Sequence, residues 1–248
     1  MCKTVIFSIV SHGHYEIIQN FIYSMDKYLD ISGCDLKIVV RDNLNEIVEL
    51  DDCGFCVKII RNLHPRGFGE NHNHNFCLFP GDYFFVLNPD LEFISNVKLI
   101  DHLSEIGESV YTVNLISKEG EDIGHVRNDL TLINIVRRRF GLLEYETFNK
   151  WFSGAFLAFE WSTFSAVGGF DERFWMYVED CDICLRAKYK LFELKIDRST
   201  VVVHDAQRGS NKSLKLFYYH LRSLTYFFIK RFLLKSIKYD IGRYITDQ

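Results

Sequence analysis

Several features that would place the chain in another class of protein are missing from its sequence. No apolar run is long enough to cross a bilayer, because the best candidate, 224–234, is short and contains Lys230 and Arg231. The N-terminus has no basic region followed by a long apolar segment and a cleavage site, so we expect no secretion signal. The net charge is only −4, which does not favour nucleic acid as a partner. With 3 prolines in 248 residues, the chain also has no proline-rich linker.

The cysteines do not form a convincing metal or disulfide pattern. Their number, 7, is odd, which together with the missing secretion signal favours a reducing cytoplasm. Two Cys-x-x-Cys pairs, Cys53/Cys56 and Cys181/Cys184, have the local spacing of zinc ligands. However, 125 residues separate Cys56 from Cys181, and the second pair lies inside an acidic predicted helix. We therefore expect buried or half-buried free thiols.

Positive charge is concentrated near the C-terminal end. The segment 212–243 contains eight basic residues and one acidic residue, a net charge of +7 that leaves −11 for the remainder of the chain. Apolar and aromatic residues recur there at helical spacing: Leu214, Phe217, Tyr218, Leu221, Thr225, Phe228 and Phe232. This pattern predicts an amphipathic helix that packs its stripe on the body, contacts a membrane, or does both with the stripe inward and Lys/Arg toward anionic headgroups.

The first half of the chain alternates short apolar runs with segments of helical spacing, as in a parallel sheet flanked by helices. The predicted strands are 4–10, 36–40, 57–60 and 83–87, and the predicted helices are 17–28 and 70–79. Further strands are predicted at 110–115, 151–159 and 201–204. In open α/β sheets ligands bind at the carboxyl ends of the strands. Ser11, Asp42 and Asp90 follow such ends, so we expect them along one rim.

A predicted helix begins with three carboxylates, Glu179, Asp180 and Asp182, directly after an aromatic cluster at 174–177. The structural explanation is a well-capped helix, because acids stabilise the positive end of the helix and Asp182 can pair with Arg186. The functional explanation is a sugar-handling site. The second explanation gains weight from polar residues at the ends of other predicted strands.

These polar residues suit the chemistry of a nucleotide sugar. A carboxylate at a strand end, Asp42, can accept the N3–H of a pyrimidine, or it can simply close an Asx turn. Asp90 can hold a divalent cation that neutralises a departing diphosphate, to which Asn88 adds at most a neutral oxygen. Gly67 and Gly69 precede a helix and would let the backbone approach a phosphate or ribose. Each of these signals is weak alone.

Histidines supply one further candidate. His204 ends a strand, and the 24 residues between Asp180 and His204 are enough for a helix, a turn and a returning strand that brings them close. A single histidine is more often structural. His72 and His74 are two apart on a predicted helix and point to different faces, so they cannot readily share an ion.

In this order along the chain, the motifs resemble the family-2 inverting glycosyltransferases of the GT-A fold. The resemblance extends from residue 4 to about residue 230 and is carried by Ser11-His12-Gly13, Val40-Arg41-Asp42-Asn43, Gly67-Phe68-Gly69 to Asn75, Leu87-Asn88-Pro89-Asp90, Trp151-Phe152-Ser153-Gly154-Ala155, Gly168-Gly169-Phe170-Asp171 and Glu179-Asp180-Cys181-Asp182 to Arg186. More narrowly, it is similar to bacterial rhamnosyltransferases that build lipopolysaccharide O-antigen from dTDP-L-rhamnose.

The resemblance implies an α/β fold of the GT-A type, with a Rossmann-like, mostly parallel central sheet flanked by helices and a C-terminal amphipathic helical tail. It implies one glycosyltransferase domain over 1–213, with a nucleotide-binding half at about 1–115 and an acceptor-binding half at about 116–213. The basic, aromatic tail then covers 214–248 and is a candidate for contact with a membrane surface.

The resemblance also implies residue roles. Asp180 is the implied catalytic base. The implied donor-binding residues are Ser11, His12, Asp42, Gly67, Gly69, Asn75, Asn88, Asp90 and Arg208. The implied acceptor and sugar pocket comprises Trp151, Ser153, Gly154, Trp175, Tyr177 and Glu179, although buried core positions are the commoner fate of such aromatics. The implied metal ligands are Asp90 and His204, with Asn88 as a weak third. The cation is Mg²⁺ or Mn²⁺, and Asn88 in place of an acid puts strict dependence on it in doubt.

The implied partners are a nucleotide-sugar donor, with dTDP-L-rhamnose favoured, a polyprenyl-diphosphate-linked saccharide acceptor, and an anionic membrane surface. We therefore expect a cytoplasmic protein, peripheral on the inner face of the cytoplasmic membrane. Two alternatives stay open. One is a transferase of the same fold that uses UDP-glucose, UDP-galactose or UDP-galactofuranose, and the other is a non-catalytic sugar-binding protein.

Overall fold

The computed structural model describes residues 2–47, 49–50, 53–142, 150–205 and 214–245, with side chains in the last range up to residue 233. Its strands are β1 (Lys3–Ser11), β2 (Leu29–Asp30), β3 (Cys34–Asp42), β4 (Cys56–Arg61), β5 (Tyr83–Leu87), β6 (Leu91–Phe93), β7 (Val97–Lys98), β8 (Ser109–Ile116), β9 (Val126–Arg127), β10 (Trp151–Phe152), β11 (Phe156–Glu160) and β12 (Glu193–His204). Its helices are α1 (Tyr15–Tyr28), α2 (Phe68–Leu78), α3 (Leu99–Ile106), α4 (Leu132–Arg139), α5 (Trp161–Val167), α6 (Glu179–Tyr189) and α7 (Leu214–Ile245).

Within these residues, eight strands form one sheet in the order β4-β3-β1-β5-β11-β8-β12-β6. β4, β3, β1 and β5 pair in parallel, as do β8 and β12. β11 lies antiparallel between β5 and β8, and β6 pairs antiparallel with β12. Six of these eight strands therefore run in one direction, which confirms the predicted mostly parallel α/β sheet. The described residues also form two short two-stranded pairs, β2 with β7 and β10 with β9.

Apolar layers cover both faces of the sheet. In β1, Val5, Phe7 and Ile9 lie in the layer that contains α1, whereas Ile6 lies in the layer that contains α5 and α6. Successive residues of a strand point to opposite faces, so a strand covered on both sides needs no polar alternation. This explains the continuous apolar run that predicts β1.

The predicted strand at 151–159 is divided into β10 and β11. The backbone N–H groups between them bond outside the sheet: Ser153 N–H donates to the His125 carbonyl (2.9 Å) and Gly154 N–H to the Asp180 carboxylate (3.0 Å). The interruption therefore belongs to the site described below. The predicted strand at 201–204 is only the last third of β12.

One of the orientations left open for the C-terminal helix, with the apolar stripe packed on the body, is not the one observed. Most of the stripe is turned outward, with Phe217 and Phe232 61% and 71% exposed, whereas Phe228 is half-buried against the body. The inward face carries Ser223 and Phe227, together with Lys230 and Arg231, which pair with acids of the body. No helix within the described ranges is long and apolar enough to cross a membrane.

Candidate active site

The carboxyl ends of the parallel strands meet at one edge of the sheet, as predicted. The register pairs Ser11 of β1 with Asp42 of β3, and Ile9 of β1 with Leu87 of β5. His204 ends β12 and lies opposite Leu91 of β6, the residue that follows Asp90. The sheet therefore brings together chain segments that are more than 100 residues apart in sequence.

The first acidic centre contains Asn88, Asp90 and His204. The Asp90 Oδ1 atom lies 3.2 Å from His204 Nε2, and the Asn88 Nδ2 atom lies 3.4 Å from the same nitrogen. Both side chains of the pair are largely buried, with exposures of 18% for Asp90 and 11% for His204. Asp90 Oδ1 is buried without a hydrogen bond from any described group. The three predicted residues are thus together, and the close approach of Asp90 Oδ1 to His204 Nε2 does not satisfy this carboxylate oxygen with a hydrogen bond.

This donor set fits a divalent cation bound jointly with a diphosphate. A carboxylate oxygen and an imidazole nitrogen are both ligands of Mn²⁺-type ions, and unsatisfied buried acceptors are rare without a function. Among the described residues no group of three or more His, Cys, Asp or Glu side chains is placed to hold a metal. A cation here would therefore need ligands from the substrate, as Mg²⁺ commonly takes from phosphates.

The second acidic centre is Asp180, in the first turn of α6. Its Oδ2 atom accepts a hydrogen bond from Gly154 N–H (3.0 Å), and its Oδ1 atom accepts one from Cys181 N–H (2.8 Å). The backbone approaches closely here, because a Cβ atom on Gly154 would lie 3.4 Å from the Cβ of Asp180 and from the Phe68 ring. Burial raises the pKa of Asp180, while Arg127 and the two N–H groups act in the opposite direction. The carboxylate is thus oriented and made more basic.

Glu179 differs from its neighbour in exposure. Its side chain is 6% exposed, and Oε2 is buried without a hydrogen bond from the described residues. Burial, followed by repulsion from Asp180, raises the pKa of Glu179. Two adjacent carboxylates in a poorly solvated place favour one proton between them, so Glu179 can stay neutral while Asp180 ionises.

The two acidic centres flank one dipeptide, Gly154-Ala155. Gly154 N–H binds the Asp180 carboxylate, and the Ala155 carbonyl accepts a hydrogen bond from Asn88 N–H (2.9 Å). Asn88 is in turn next to His204. The structure therefore brings Asp90 and Asp180 to the same edge of the sheet. A separate cavity of about 590 Å³, beside Tyr189 and Phe192, opens at the amino end of β12, on the opposite edge.

The predicted nucleotide-binding residues at β1 and β3 lie at this edge, but their polar atoms already have protein partners. The Asp42 carboxylate is fully buried and accepts N–H groups of Leu44 (3.3 Å) and Ile47 (2.8 Å), the Asx-type arrangement kept open above. Ser11 Oγ accepts His14 N–H at 3.2 Å. His12 Nε2 lies 2.6 Å from Asn43 Nδ2, and burial lowers the pKa of His12.

Asn75 lies in a buried polar network rather than at a ligand surface. Its Oδ1 atom accepts two hydrogen bonds from Arg41 (2.7 and 3.1 Å), and its Nδ2 atom donates to Ser8 Oγ (2.9 Å). Ser8 also contacts His72 Nδ1 (2.7 Å), and burial followed by Arg41 lowers the pKa of His72 to about 3. Asn75 has no exposed surface, and its described hydrogen bonds are all within the protein.

The glycines at the start of α2, Gly67 at its N-cap and Gly69 in its first turn, are explained by packing. A Cβ atom on Gly67 would lie 2.8 Å from the Trp175 carbonyl, and one on Gly69 would lie 2.5 Å from Phe170 Cβ. Phe68 N–H also donates to the Trp175 carbonyl (2.9 Å). Gly67 and Gly69 therefore let α2 meet the segment that leads to Asp180, so their presence needs no ligand.

The aromatic residues of the predicted sugar pocket differ from one another. Trp151 is 3% exposed, its indole N–H donates to the Asn128 carbonyl (2.9 Å), and its ring packs under Arg127 (5.1 Å). Trp151 is a core residue, which corrects the prediction that it stacks on a sugar. Trp175 and Tyr177 are only half-buried, as is Ser153, so they line the edge beside Asp180. Arg208 lies outside the described residues.

Two residues near Asp180 were not predicted from the sequence. Burial raises the pKa of Asp180 against the opposing charge of Arg127, and burial lowers the pKa of His220 against the opposing charge of Asp180. Arg127 lies in a polar stretch without a recognisable motif, and His220 lies between members of the predicted apolar stripe. Neither position carries a sequence signal that distinguishes it from a surface residue.

Comparisons with known proteins agree with this fold. No family model matches the sequence. The chain is 26% identical over 257 residues to "Rhamnosyltransferase WbbL" of Escherichia coli (strain K12), covering 94% of this chain and 95% of that protein.

Solved structures are more distant in sequence. The structure of GalNAc-T7 with UDP, GalNAc and Mn²⁺ has a TM-score of 0.62 at 15% identity and covers 82% of this chain and 43% of that one. The mannosyltransferase PcManGT from Pyrobaculum calidifontis with GDP-Man and Mn²⁺ has a TM-score of 0.56 at 13% identity, with 84% and 59% covered. S. aureus TarS has a TM-score of 0.55 at 13% identity, with 84% and 38% covered. The chain thus spans less than two thirds of each solved chain. Its fold and its end-to-end similarity to a rhamnosyltransferase identify it as a glycosyltransferase of the GT-A fold, in agreement with the family-2 resemblance of its motifs.

Proposed function

We propose that the chain transfers L-rhamnose from dTDP-L-rhamnose, with inversion at the anomeric carbon, to a hydroxyl of a lipid-linked saccharide during synthesis of a bacterial O-antigen. The observation that carries the proposal is the placement of Asp180 and the Asp90–His204 pair on either side of Gly154-Ala155. The similarity to a protein named rhamnosyltransferase supports the choice of sugar.

Asp180 is proposed as the general base. An acceptor hydroxyl gives its proton to the Asp180 carboxylate as its oxygen forms a bond to the anomeric carbon. The bond from that carbon to the diphosphate oxygen breaks, and its electron pair leaves with the diphosphate. A single displacement from the opposite face inverts the configuration. A base works best when its pKa approaches the working pH, and burial moves the pKa of Asp180 in that direction.

The departing diphosphate is proposed to lie against Asp90 and His204. A divalent cation bound there would neutralise developing negative charge, which is the chemistry that Mg²⁺ or Mn²⁺ supplies when present. Asn88 orients the imidazole and adds no charge. The structures of GalNAc-T7 and PcManGT contain Mn²⁺ together with a nucleotide or nucleotide sugar, which supports a cation at the corresponding edge.

We also propose peripheral contact with an anionic membrane, on revised grounds. Lys230 and Arg231 are bound to acids of the body, so they do not serve the membrane. The outward stripe of α7, including Phe217, Leu221 and Phe232, offers the apolar contact instead. Flotation with neutral and anionic vesicles tests this. Recovery should be greater with anionic vesicles, because Lys215 and Arg222 of the same helix are exposed, and failure to float with either would contradict the proposal.

The experiment for the central proposal is transfer with a donor panel. The purified chain is incubated with Mn²⁺, polyprenyl-diphosphate-linked saccharides, and either dTDP-L-rhamnose or UDP-glucose, UDP-galactose or UDP-galactofuranose. Released nucleoside diphosphate and the anomeric configuration of the product are then measured. We expect transfer with inversion from dTDP-L-rhamnose. Transfer only from a UDP-sugar would replace the donor assignment, and no release from any donor would contradict the catalytic proposal.

A further inference from the structure

The segment 174–178, which leads into the proposed base, contacts α7 at four consecutive residues, 174 to 177. At its centre, the Met176 carbonyl accepts a hydrogen bond from the Ser223 hydroxyl (2.8 Å), and Ser223 is only 3% exposed. Aromatic contacts lie on either side of this bond, at ring distances of 5.9 and 5.0 Å: Trp175 with Tyr219, and Tyr177 with His220. Four consecutive residues of the segment thus each meet a different residue of α7.

Residues on both sides of the segment are held by the same helix. Lys230 Nζ lies 2.7 Å from Asp171 Oδ2 and 2.5 Å from Asp182 Oδ1. Both carboxylates are largely buried, with exposures of 9% and 5%. One lysine therefore joins α7 to a residue before the segment and to a residue in the first turn of α6.

The backbone between these contacts has an unusual conformation. Tyr177 and Val178 have φ angles of 71° and 74°, in the left-handed region that a β-branched residue such as valine rarely adopts. Strained residues of this kind persist only where the surrounding structure holds them. The Val178 carbonyl then accepts Asp182 N–H (2.9 Å), so this turn sets the position from which α6 begins. Asp180 lies two residues after Val178.

We propose that Ser223 is a positioning residue for catalysis, whose hydroxyl holds the Met176 carbonyl and thereby the left-handed turn that aims Asp180 at the acceptor hydroxyl. The inference rests on the proposed role of Asp180 as the base. It makes α7 a component of the active site rather than a tail attached to a finished domain.

Thr225 provides a matched control on the same helix. Its hydroxyl also donates a 2.8 Å hydrogen bond to a carbonyl, but that carbonyl belongs to Leu221 of α7 itself. Ser223→Ala and Thr225→Ala therefore each remove one hydroxyl-to-carbonyl bond of the same length, and only the first reaches the segment before Asp180.

The first measurement is steady-state kinetics of both variants in the full chain. Because a small misplacement of a catalytic group costs up to about 100-fold, Ser223→Ala should lower kcat about 10- to 100-fold, with the donor KM changed less than about twofold. Thr225→Ala should match the parent. A kcat for Ser223→Ala within about twofold of the parent would overturn the proposal, and so would an equal loss in both variants.

The second measurement does not need a substrate. Loss of one hydrogen bond should speed amide hydrogen exchange about fivefold in peptides covering 174–186, and Thr225→Ala should leave these peptides unchanged. Unchanged exchange in Ser223→Ala would refute the structural step even if its kcat fell. If the parent transfers no sugar, the proposed function fails, while the exchange data still decide whether Ser223 holds the segment.

Discussion

Replacement of Asp180 by asparagine is the most informative single perturbation of the active site. The side chain keeps its size, and its remaining oxygen can still accept the Gly154 N–H bond. The substitution removes the negative charge and the ability to take a proton. Asparagine therefore keeps the size of the side chain and one of its two accepted hydrogen bonds, but abolishes the proposed base.

The expected loss follows from the role of the carboxylate. General base catalysis contributes about 10²- to 10⁴-fold, so kcat should fall by about that factor while donor binding persists. The pH profile gives a second signature. The reaction needs ionised Asp180, and burial raises its pKa, so activity in the parent should decline as pH falls at values above the usual aspartate range. Asp180→Asn should lose this acid limb.

The assay is release of nucleoside diphosphate over a range of pH, with donor affinity measured separately by calorimetry. Asp205→Asn is the control, since Asp205 also follows a strand end at this edge but its side chain is 52% exposed and pairs with Lys118, while its backbone N–H bond to the Asp90 carbonyl is kept in the variant. It should behave like the parent. A kcat in Asp180→Asn within about threefold of the parent, with its acid limb intact, would refute the assignment of the base.

Three further predictions concern the cation site, pH stability and the α7 contact. Asn88→Asp should tighten Mn²⁺ binding in the presence of dTDP, because it adds a second carboxylate beside His204; calorimetry showing weaker binding would argue against a cation there. The free energy of unfolding should fall as pH rises above the usual glutamate range, because burial raises the folded-state pKa of Glu179 and the native state must then lose a proton it holds tightly. Glu179→Gln should flatten this slope in denaturation curves, and an unchanged slope would exclude Glu179 as its origin. Lys230→Ala should lower stability by about 1–3 kcal/mol, since it leaves one oxygen of buried Asp171 and one of buried Asp182 without their shared cation while Arg173 and Arg186 still pair with these acids, whereas exposed Lys215→Ala should change it by less than about 0.5 kcal/mol in the same urea titrations.

The predictable part of the fold is the part that local pattern and strand topology determine. Continuous apolar runs predict β1 and β5. Because the strands pair in parallel, Ser11 and Asp42 lie at the same edge of the sheet. His204 reached Asp90 because β6 pairs with the end of β12, an arrangement compatible with the spacing but not specified by it.

The orientation of α7 could not be read from its sequence. Helical periodicity distinguishes an apolar face from a polar one, and burial of the apolar face is the usual outcome. Here the body presents Asp129, Asp171 and Asp182 to the helix, so Lys230 and Arg231 turn inward. The acidic residues of the body determine the orientation of α7, and they come from segments distant in the chain.

The roles of polar residues were similarly ambiguous from the amino-acid sequence alone. A buried asparagine and a ligand-binding asparagine have the same sequence signal, and only packing shows that Asn75 bonds to Arg41 and Ser8. Trp151 is a core residue for the same kind of reason, because its indole N–H finds a carbonyl within the protein.

The most direct test of the account is a crystal structure with dTDP and Mn²⁺, in which anomalous scattering locates the ion. The account predicts an anomalous peak about 2.0–2.4 Å from an Asp90 oxygen and from His204 Nε2, with the diphosphate beside it and the Asp180 carboxylate facing the same space. A nucleotide and ion bound away from this edge, or a diphosphate on the far side of the sheet from Asp180, would contradict it.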